Sequence, residues 1–531
     1  MPRMQHRVLK RHSKATYPKI DTSLAAPCGL LQRRGNMQLN LFNIEYTYPS
    51  AADPALRGVT ATLPQGWTGI VGDNGGGKTT LALVACGILR PDAGTVTPSL
   101  LSAYCAQNAK EPPGNVTDFA LTYDGPAVRL RRELGIENDW AWRYVTLSGG
   151  QQKRLQVACA LWAAPDVLAL DEPTNHVDAS TRRAMFEALS RFGGIGLLVS
   201  HDRELLDALC SQCLFVADGA AVMRPGGYSQ ASSQAALERA STIHARDAAR
   251  KEKARIEREA QRRREEASRS AGKRSLRGIG THDTDARRKV RVAVMTGKDG
   301  KAGRLSSRMQ GRFEEAEAKL AATRIERRYD ADVWLDAKPS RRKVLFRTDP
   351  CSIPLGDASL SVPALHIGNA DHIGLTGDNG SGKTTLVKRI VAGIPAGTKM
   401  LYIPQEPDRS QVGEALQAMH RLSTARLGRA LSIVAQLNSN PDRMLEGDAV
   451  SPGEMRKLML ALGILESPEL VIMDEPTNHL DLGSTKALER LLSSYPGALL
   501  LVSHDSALLG STTSITWRMK MAKGGYELTV S

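Results

Sequence analysis

Four short apolar runs along the chain predict buried strands. Two of these runs, 68–71 and 372–376, are each followed by a glycine-rich segment and then by a helical pattern that begins Thr-Leu. The other two runs, 167–170 and 470–473, each end in two acidic residues. Short runs of this kind are typical of parallel strands whose two faces are both covered by helices. The pattern therefore predicts an α/β fold.

The same order of elements occurs twice, about 305 residues apart, and a repeat of this kind predicts two related domains. A chain of 531 residues has room for two or three domains. We expect a basic extension at 1–36, one domain at 37–232, a charged helical linker at 233–335 and a second domain at 336–531. No apolar run reaches the roughly 18 residues that a transmembrane helix needs.

Both glycine-rich segments match the P-loop pattern GxxxxGK[ST]. Glycines let backbone N–H groups surround phosphate oxygens, and the helix that follows points its positive end at the same anion. Lys78 and Lys383 would place a charge near the β- and γ-phosphates, while the next threonine of each segment would offer a hydroxyl to Mg²⁺. The predicted ATP-binding residues are Gly72, Asp73, Asn74, Gly75, Gly76, Gly77, Lys78, Thr79 and Thr80 in the first segment and Gly377, Asp378, Asn379, Gly380, Ser381, Gly382, Lys383, Thr384 and Thr385 in the second.

The two acidic pairs predict the rest of the catalytic chemistry. Asp171 and Asp474 would hold Mg²⁺ together with Thr79 and Thr384. Glu172 and Glu475 would orient or deprotonate the attacking water, and loss of such a base typically lowers the rate by ~10²–10⁴. The sequence therefore predicts an enzyme that converts ATP and water to ADP and phosphate, with Mg²⁺ as its cofactor.

Further motifs resemble the ABC ATPase superfamily. The segment Leu-Ser-Gly-Gly-Gln-Gln at 147–152 resembles the ABC signature, which separates this superfamily from other P-loop proteins. The resemblance covers nearly all of 37–232 and 336–531 and implies two domains that pair head to tail. The site residues that it implies are Ser148, Gly149, Gly150 and Gln151 of the signature, Gln107 and Gln405 of the Q-loops (also at Mg²⁺), Asp178 and Asp481 of the D-loops, and the catalytic switch residues His201 and His504.

The second signature departs from this pattern, because Pro452 replaces its first glycine and Glu454 replaces its glutamine. Proline has no N–H, so one phosphate donor is lost. Proline nevertheless suits the first position of a helix, and Ser451 would cap that helix. Ser451, Gly453 and Glu454 are therefore still expected to contact ATP. We predict unequal sites, with the one that uses Lys78 and Ser451 being the slower.

One aromatic residue is a candidate for stacking on the nucleotide base. Tyr48 lies where ABC domains place such a residue, and Tyr46 is the alternative. Either could instead be an ordinary strand residue, and the second domain offers no clear equivalent.

The positive charge of the chain is concentrated in two segments. Residues 233–330 hold 27 Lys/Arg against 15 Asp/Glu, and residues 1–36 hold eight against one, so the remainder is close to neutral although the whole chain carries +15. Localised positive charge indicates a polyanionic partner. For residues 1–36, a transit peptide and a disordered arm are both open interpretations, although a translation start at Met37 is favoured.

The linker composition predicts two charged helices, from Ala245 to about Arg269 and from Ala286 to Arg328 with an interruption at 297–300. The turn between them lacks aromatic residues, so we expect contacts to nucleic-acid phosphates with little reading of sequence. The alternative is a solvated tether. The predicted RNA-contacting residues are Arg274, Arg277, Arg287, Arg288, Lys289, Arg291, Lys298, Lys301 and Arg304.

Two fused ABC domains, this linker and Glu-Pro-Thr-Asn-His at 172–176 and 475–479 resemble the ABC-F family. The resemblance implies two P-loop ABC-type domains joined by a long helical hairpin linker, in a monomeric cytoplasmic protein. It also implies that the linker contacts rRNA and P-site tRNA on the ribosome, either in general translation or in protection from antibiotics.

Two other functions compete with this one. An ABC transporter ATPase subunit with separate membrane subunits would not need the linker. A DNA-maintenance ATPase would be expected to have the zinc-type cysteine spacing or large insertions that the chain lacks. The Cys210–Cys213 CxxC pair has no second pair nearby, so ordinary packing is expected for it, and the seven scattered cysteines favour a reducing compartment.

Overall fold

The structure is a computed structural model that describes residues 37–175, 177–272, 284–285, 288, 292, 299–322, 337–356, 358–441, 451–522 and 524–531. The described residues form two compact units. One combines those up to Ala231 with those after Arg328, and the other lies between Ser232 and Arg327. The first unit contains both nucleotide-binding domains.

The first domain is built on a six-stranded sheet with the strand order β5-β6-β7-β3-β8-β9 and a three-stranded sheet with the order β2-β1-β4. β6 and β7 are buried along their whole length, as expected for apolar strands covered on both faces. The strands are β1 (Gln38–Tyr46), β2 (Leu56–Pro64), β3 (Gly66–Gly72), β4 (Ala93–Thr97), β5 (Ser102–Cys105), β6 (Val167–Asp171), β7 (Ile195–Val199), β8 (Cys210–Ala217) and β9 (Ala220–Pro225).

Helices cover the larger sheet, and two hydrophobic clusters fill the space around its strands. Cys210 and Cys213 are free and buried in this core. The helices are α1 (Lys78–Ala85), α2 (Val116–Leu121), α3 (Gly125–Glu133), α4 (Gly149–Trp162), α5 (Ala179–Leu189) and α6 (Arg203–Leu209).

A helical segment follows the first domain. It contains α7 (Tyr228–Gly272) and α8 (Asp299–Ala322), and Ile256, Met309 and Ala316 form a small buried cluster between these helices. α7 begins 17 residues before the predicted Ala245, because no glycine or proline occurs between Tyr228 and that residue. At ~1.5 Å per residue α7 is about 68 Å long. Its partner begins at Asp299, inside the interruption predicted at 297–300.

The second domain repeats this architecture around an eight-stranded sheet with the order β11-β12-β19-β18-β14-β17-β16-β15, next to a β10-β13 pair. The strands are β10 (Val344–Thr348), β11 (Cys351–Leu355), β12 (Ala358–Val362), β13 (Leu365–Gly368), β14 (His372–Thr376), β15 (Met400–Ile403), β16 (Leu470–Asp474), β17 (Ala498–Val502), β18 (Ile515–Ala522) and β19 (Gly525–Val530). The helices are α9 (Lys383–Gly393), α10 (Arg409–Arg421), α11 (Thr424–Gln436), α12 (Pro452–Ile464), α13 (Leu482–Ser493) and α14 (Ser506–Thr512).

The order β15-β16-β17-β14 corresponds to β5-β6-β7-β3, so the repeated motifs lie at the same edge of each sheet. In open α/β sheets, ligands bind outside the carboxyl ends of the strands. The predicted α/β fold with two P-loop domains and intervening helices is confirmed. Across the described residues, no helix is both long enough and apolar enough to cross a membrane.

Candidate nucleotide-binding sites

The first P-loop lies between the end of β3 and the start of α1. Gly75 and Gly77 have φ values of 79° and 101°, a backbone conformation that residues with a Cβ rarely adopt. A Cβ on Gly77 would lie 2.6 Å from the Ala55 carbonyl oxygen. Lys78 Nζ donates to the carbonyl oxygens of Gly72 and Asp73, both at 2.9 Å. Two carbonyl oxygens of the loop therefore hold the Lys78 ammonium within the P-loop.

The second P-loop has the same geometry between β14 and α9. Gly380 and Gly382 have φ values of 82° and 93°. Lys383 Nζ donates to the carbonyl oxygens of Gly377 at 2.6 Å and Asp378 at 3.0 Å. Sequence repetition is thus matched by repetition of backbone shape.

Each P-loop threonine contacts the aspartate at the end of a neighbouring strand. Thr79 Oγ1 donates to Asp171 Oδ2 at 2.8 Å, and Thr384 Oγ1 donates to Asp474 Oδ2 at 3.1 Å. A hydroxyl and a carboxylate are oxygen ligands that suit Mg²⁺, which usually takes one or two carboxylates with phosphates and waters. These residues fit the predicted cofactor. Tyr104, which the sequence analysis did not select, donates its hydroxyl to Asp171 Oδ2 at 3.0 Å.

The glutamates that follow, Glu172 and Glu475, both have a φ of 47°. Burial and the adjacent Asp171 carboxylate raise the pKa of Glu172 to about 8. Burial also raises the pKa of Glu475 to about 7, against the opposing effect of Lys383. A base whose pKa lies near the working pH is well suited to accept a proton from water.

A histidine lies beside each glutamate. His201 Nε2 is 3.3 Å from Glu172 Oε1, and His504 Nε2 is 3.7 Å from Glu475 Oε1. Burial and the nearby P-loop lysine lower the pKa of His201 to about 3, and burial with Lys383 lowers that of His504 to about 4. Both imidazoles are therefore neutral near pH 7. Lys383 Nζ lies 3.3 Å from His504 Nε2, and the backbone N–H of His201 donates to Glu172 Oε2 at 3.3 Å.

The domains meet head to tail at the first site. Asn74 N donates to Asp481 Oδ2 at 3.4 Å, and its side chain donates to the His479 carbonyl oxygen at 3.1 Å. Asn438, at the end of α11, donates to Asp73 Oδ1 at 2.9 Å. The D-loop of the second domain therefore contacts the P-loop of the first.

The second site contains a cavity of about 680 Å³ that both domains line. Gln405 lies on its wall, and the D-loop residue Val177 approaches it from the first domain. The other lining residues that the sequence analysis predicted are Asn379, Gly380, Gly382, Lys383, Thr384, Thr385, Asp474, Glu475, His201 and His504.

Both signature helices have the predicted caps. Ser148 Oγ accepts from Gln151 N at 3.3 Å, and Ser451 Oγ accepts from Glu454 N at 3.2 Å, with Pro452 at the first helical position. Ser148, Gly149 and Gln107 are exposed, and neither they nor Gly150 and Gln151 are among the residues that line the cavity. The cavity at the second P-loop is therefore not lined by the first signature.

A buried cation follows each signature, and the sequence analysis missed both. Lys153 Nζ donates to the carbonyl oxygens of Ala106 at 2.6 Å and Asp171 at 3.2 Å. Arg456, at the same position of the second domain, donates to the carbonyl oxygens of Glu475 at 2.9 Å and Pro404 at 3.0 Å. Each cation therefore ties the signature helix to the Q-loop and to the acidic strand end. Its sequence signal is a basic residue five positions after the signature serine.

Tyr48 rather than Tyr46 contacts the first P-loop helix. The Tyr48 hydroxyl lies 3.0 Å from Thr80 Oγ1, and the two tyrosine rings meet edge to face with centroids 5.0 Å apart. Tyr48 is 37% exposed beside the P-loop helix and stays the candidate for stacking on the base.

Most of the predicted RNA-contacting residues lie outside the described part of the chain. Arg288 is described: its backbone is helical and its side chain is exposed. Lys301 and Arg304 lie on α8, but their side chains are not described. Arg274, Arg277, Arg287, Lys289, Arg291 and Lys298 are not described.

Comparisons with known proteins agree with this geometry. The ABC transporter family matches residues 56–175 and 360–478. The chain is 26% identical over 507 residues to the ribosome protection protein VmlR of Bacillus subtilis. The matched region covers 90% of this chain and 85% of VmlR. It is 27% identical over 498 residues to the ATP-binding protein Uup of Caulobacter vibrioides. That match covers 89% of this chain and 76% of Uup.

A solved structure, the archaeal ribosome recycling factor aABCE1 in complex with the stalk protein aP1, has a similar fold. Its TM-score is 0.59 at 18% identity, with coverage of 92% of this chain and 89% of that one. The two P-loops, the acidic strand ends and the capped signature helices define a protein with tandem ABC domains. The tandem ABC domains and the similarity to VmlR and Uup support an ABC-F ATPase.

Proposed function

We propose that this chain is an ATP-hydrolysing, ribosome-binding factor of the cytoplasm that acts in translation or in protection of the ribosome from antibiotics. The observation that carries the proposal is the pair of P-loop sites at which residues of one domain face the P-loop of the other. Such sites let bound nucleotide hold the domains together.

The residues divide the chemistry between them. The P-loop N–H groups and Lys78 or Lys383 hold the phosphates, and Thr79 with Asp171, or Thr384 with Asp474, would hold Mg²⁺. When bound, Mg²⁺ neutralises charge on the β- and γ-phosphates. Glu475 accepts the proton of the attacking water, and the neutral His504 lies beside it, with Nε2 3.7 Å from Glu475 Oε1.

The helical segment supports an RNA partner. Its residues 233–330 carry a net charge of +12, whereas the two domains are nearly neutral, so this segment attracts phosphate more strongly than the domains do. The name of VmlR, a ribosome protection protein with a similar sequence along most of its length, supports the ribosome as the source of that RNA.

Ribosome co-sedimentation tests the proposal. The Glu172→Gln/Glu475→Gln chain retains its phosphate-binding groups but lacks both bases, so it should pellet with ribosomes in ATP and much less in ADP. Lys78→Ala/Lys383→Ala, which weakens nucleotide binding, should abolish the enrichment and serves as the control. Equal pelleting in ATP and ADP, or none in either, would contradict the proposed function.

A further inference from the structure

A side chain just beyond α11 of the second domain contacts the P-loop of the first domain. Asn438 lies two residues after the end of this helix, and its Nδ2 donates to Asp73 Oδ1 at 2.9 Å and to Asp481 Oδ1 at 3.3 Å. Asp73 belongs to the first P-loop, whereas Asp481 is the D-loop residue that caps α13. The Asn438 amide therefore joins the first P-loop to the D-loop of the second domain.

The backbone of Asn438 is held within its own domain. Its φ of 61° lies in the left-handed region, which asparagine adopts more readily than most residues with a Cβ. The buried Lys457 on α12 donates to the Asn438 carbonyl oxygen at 3.3 Å. The same ammonium donates to the Ser439 and Ser484 hydroxyls at 2.9 and 2.6 Å. The amide thus extends across the interface from a backbone that its own domain fixes.

The corresponding position of the first domain is a glycine. Gly135 lies 13 residues before the first signature serine, and Asn438 lies 13 residues before the second. The φ of Gly135, 56°, is also left-handed, and Arg154 donates to its carbonyl oxygen at 3.4 Å. Lys457 makes the equivalent bond to Asn438. The two positions are therefore equivalent, but only the second domain offers an amide to the opposite P-loop.

The start of α13 leaves room for this amide. Gly483 is the second residue of the helix, and a Cβ there would lie 2.8 Å from Asn438 Nδ2 and 3.3 Å from Asp73 Oδ1. The corresponding residue of the first domain, two positions after Asp178, is Ser180. The domains thus differ at both positions together, because the second combines an amide with a glycine where the first combines a glycine with a serine.

Asp73 in turn holds the phosphate-binding lysine of the first site. Lys78 Nζ donates to the Asp73 carbonyl oxygen at 2.9 Å, and the backbone N–H of Gly76 donates to the same oxygen at 3.1 Å. A loop that is fixed before its ligand arrives loses less conformational freedom on binding. Asn438 fixes the side chain of the residue on which this arrangement depends.

Other contacts join the domains away from this amide. Arg203 Nη1 on α6 donates to both carboxylate oxygens of Glu489 on α13, at 2.8 and 3.0 Å. Leu482, at the start of α13, is buried in a hydrophobic cluster of the first domain. Loss of the Asn438 amide is therefore expected to loosen the first P-loop without separating the domains.

We propose that Asn438 is a positioning residue of the first nucleotide site: supplied by the second domain, its amide fixes Asp73 and thereby prepares the P-loop and Lys78 for the phosphates. The proposal rests on the proposed function, because it requires that the first site binds ATP. Affinity at the first site then depends on a contact between the domains, whereas Gly135 provides no such contact at the second site.

Nucleotide binding to the full chain tests the proposal. A fluorescent, non-hydrolysable ATP analogue is titrated with Mg²⁺ into a Lys383→Ala chain, which keeps the first site, and into a Lys78→Ala chain, which keeps the second. Asn438→Gly retains the left-handed backbone without the amide, and Asn438→Asp retains the shape without the donor. Gly483→Ala leaves Asn438 in place but adds the Cβ that would displace its amide.

In the Lys383→Ala chain, each of the three substitutions should raise Kd about tenfold, as expected for the loss of one hydrogen bond to a charged group. Asn438→Asp should have the largest effect, because its carboxylate would face those of Asp73 and Asp481. In the Lys78→Ala chain, the same substitutions should change Kd less than about twofold, which makes that chain the matched control. Gly483→Ala should not lower the melting temperature, because alanine favours a helix more than glycine does.

An unchanged Kd at the first site in Asn438→Gly, or an equal rise at both sites, would overturn the proposal. A rise in Kd that occurs only in variants with a lowered melting temperature would also overturn it, because the role would then be structural. Failure of the proposed function would appear separately, as a lack of ATP-dependent ribosome co-sedimentation, and the Kd values would still decide this inference. A Lys383→Ala chain that binds no nucleotide would contradict both.

Discussion

Separate removal of the two glutamates tests whether the sites are unequal. Glu475→Gln leaves Glu172 as the base, and Glu172→Gln leaves Glu475. Each substitution should lower turnover at its own site by ~10²–10⁴, so the remaining rate of each variant reports the other site.

The magnitude follows from the pKa values of the two bases. Burial raises the pKa of both glutamates, to about 8 for Glu172, where Asp171 adds to the effect, and to about 7 for Glu475. Because only the ionised carboxylate accepts a proton, Glu475→Gln should remove more than half of the ATP turnover at pH 7.5 and Glu172→Gln less than half. The lost N–H at Pro452 adds to this difference in the same direction.

Phosphate release measured at saturating ATP and Mg²⁺ provides the assay. Raising the pH to about 9 ionises both glutamates, so the two variants should become more alike, and the difference that persists measures the effect of Pro452. Pro452→Gly should then remove that remaining difference. Equal losses in the two variants at pH 7.5 would refute this reasoning.

Three other predictions follow from buried or interfacial contacts. Lys153→Met removes the donor shared by the carbonyl oxygens of Ala106, Gln107 and Asp171 and should destabilise the chain by about 2–4 kcal/mol in denaturant unfolding; an unchanged midpoint would contradict this. In a double-mutant cycle of Arg203→Ala and Glu489→Ala, the coupling energy should be about 1–3 kcal/mol, and additive effects would show that the ion pair contributes nothing. Tyr48→Ala should weaken binding of a fluorescent ATP analogue at the first site by about 1–3 kcal/mol while Tyr46→Ala has little effect, and the reverse order would identify the other ring as the stacking partner.

Much of the site could be predicted from the sequence because its residues belong to short segments at strand ends. The P-loop glycines, Lys78 and Asp171 depend on a local turn or on the end of a buried strand, and the parallel sheet then gathers those ends at one edge. Because each motif occurs in both domains, each sequence pattern is supported by a second copy. The α/β fold was predictable for the same reason.

The remaining contacts join residues far apart in the chain, so no local pattern indicates them. Arg182 and Lys383 line one cavity although about 200 residues separate them, and Asn438 contacts Asp73 over a still longer interval. The signature serine Ser148 was expected at the second P-loop from resemblance, but the structure leaves it exposed. Its place relative to the second P-loop depends on how the two domains pack, and local sequence does not determine that packing.

The start of α7 was also missed, because the charged pattern that predicts the linker is weaker near Tyr228. There the helix is anchored by burial of Tyr228 and Ala231 instead. The absence of glycine and proline between Gly227 and Ala245 permits this early start, and tertiary packing of Tyr228 and Ala231 stabilises the first turn.

A cryo-EM reconstruction of ribosomes incubated with the Glu172→Gln/Glu475→Gln chain and ATP tests the central claim most directly. We predict density for nucleotide at Lys78 and Lys383 and for the helices Tyr228–Gly272 and Asp299–Ala322 against ribosomal RNA or tRNA. Ribosomes without the chain, or a bound chain whose helical segment touches no RNA, would contradict the account.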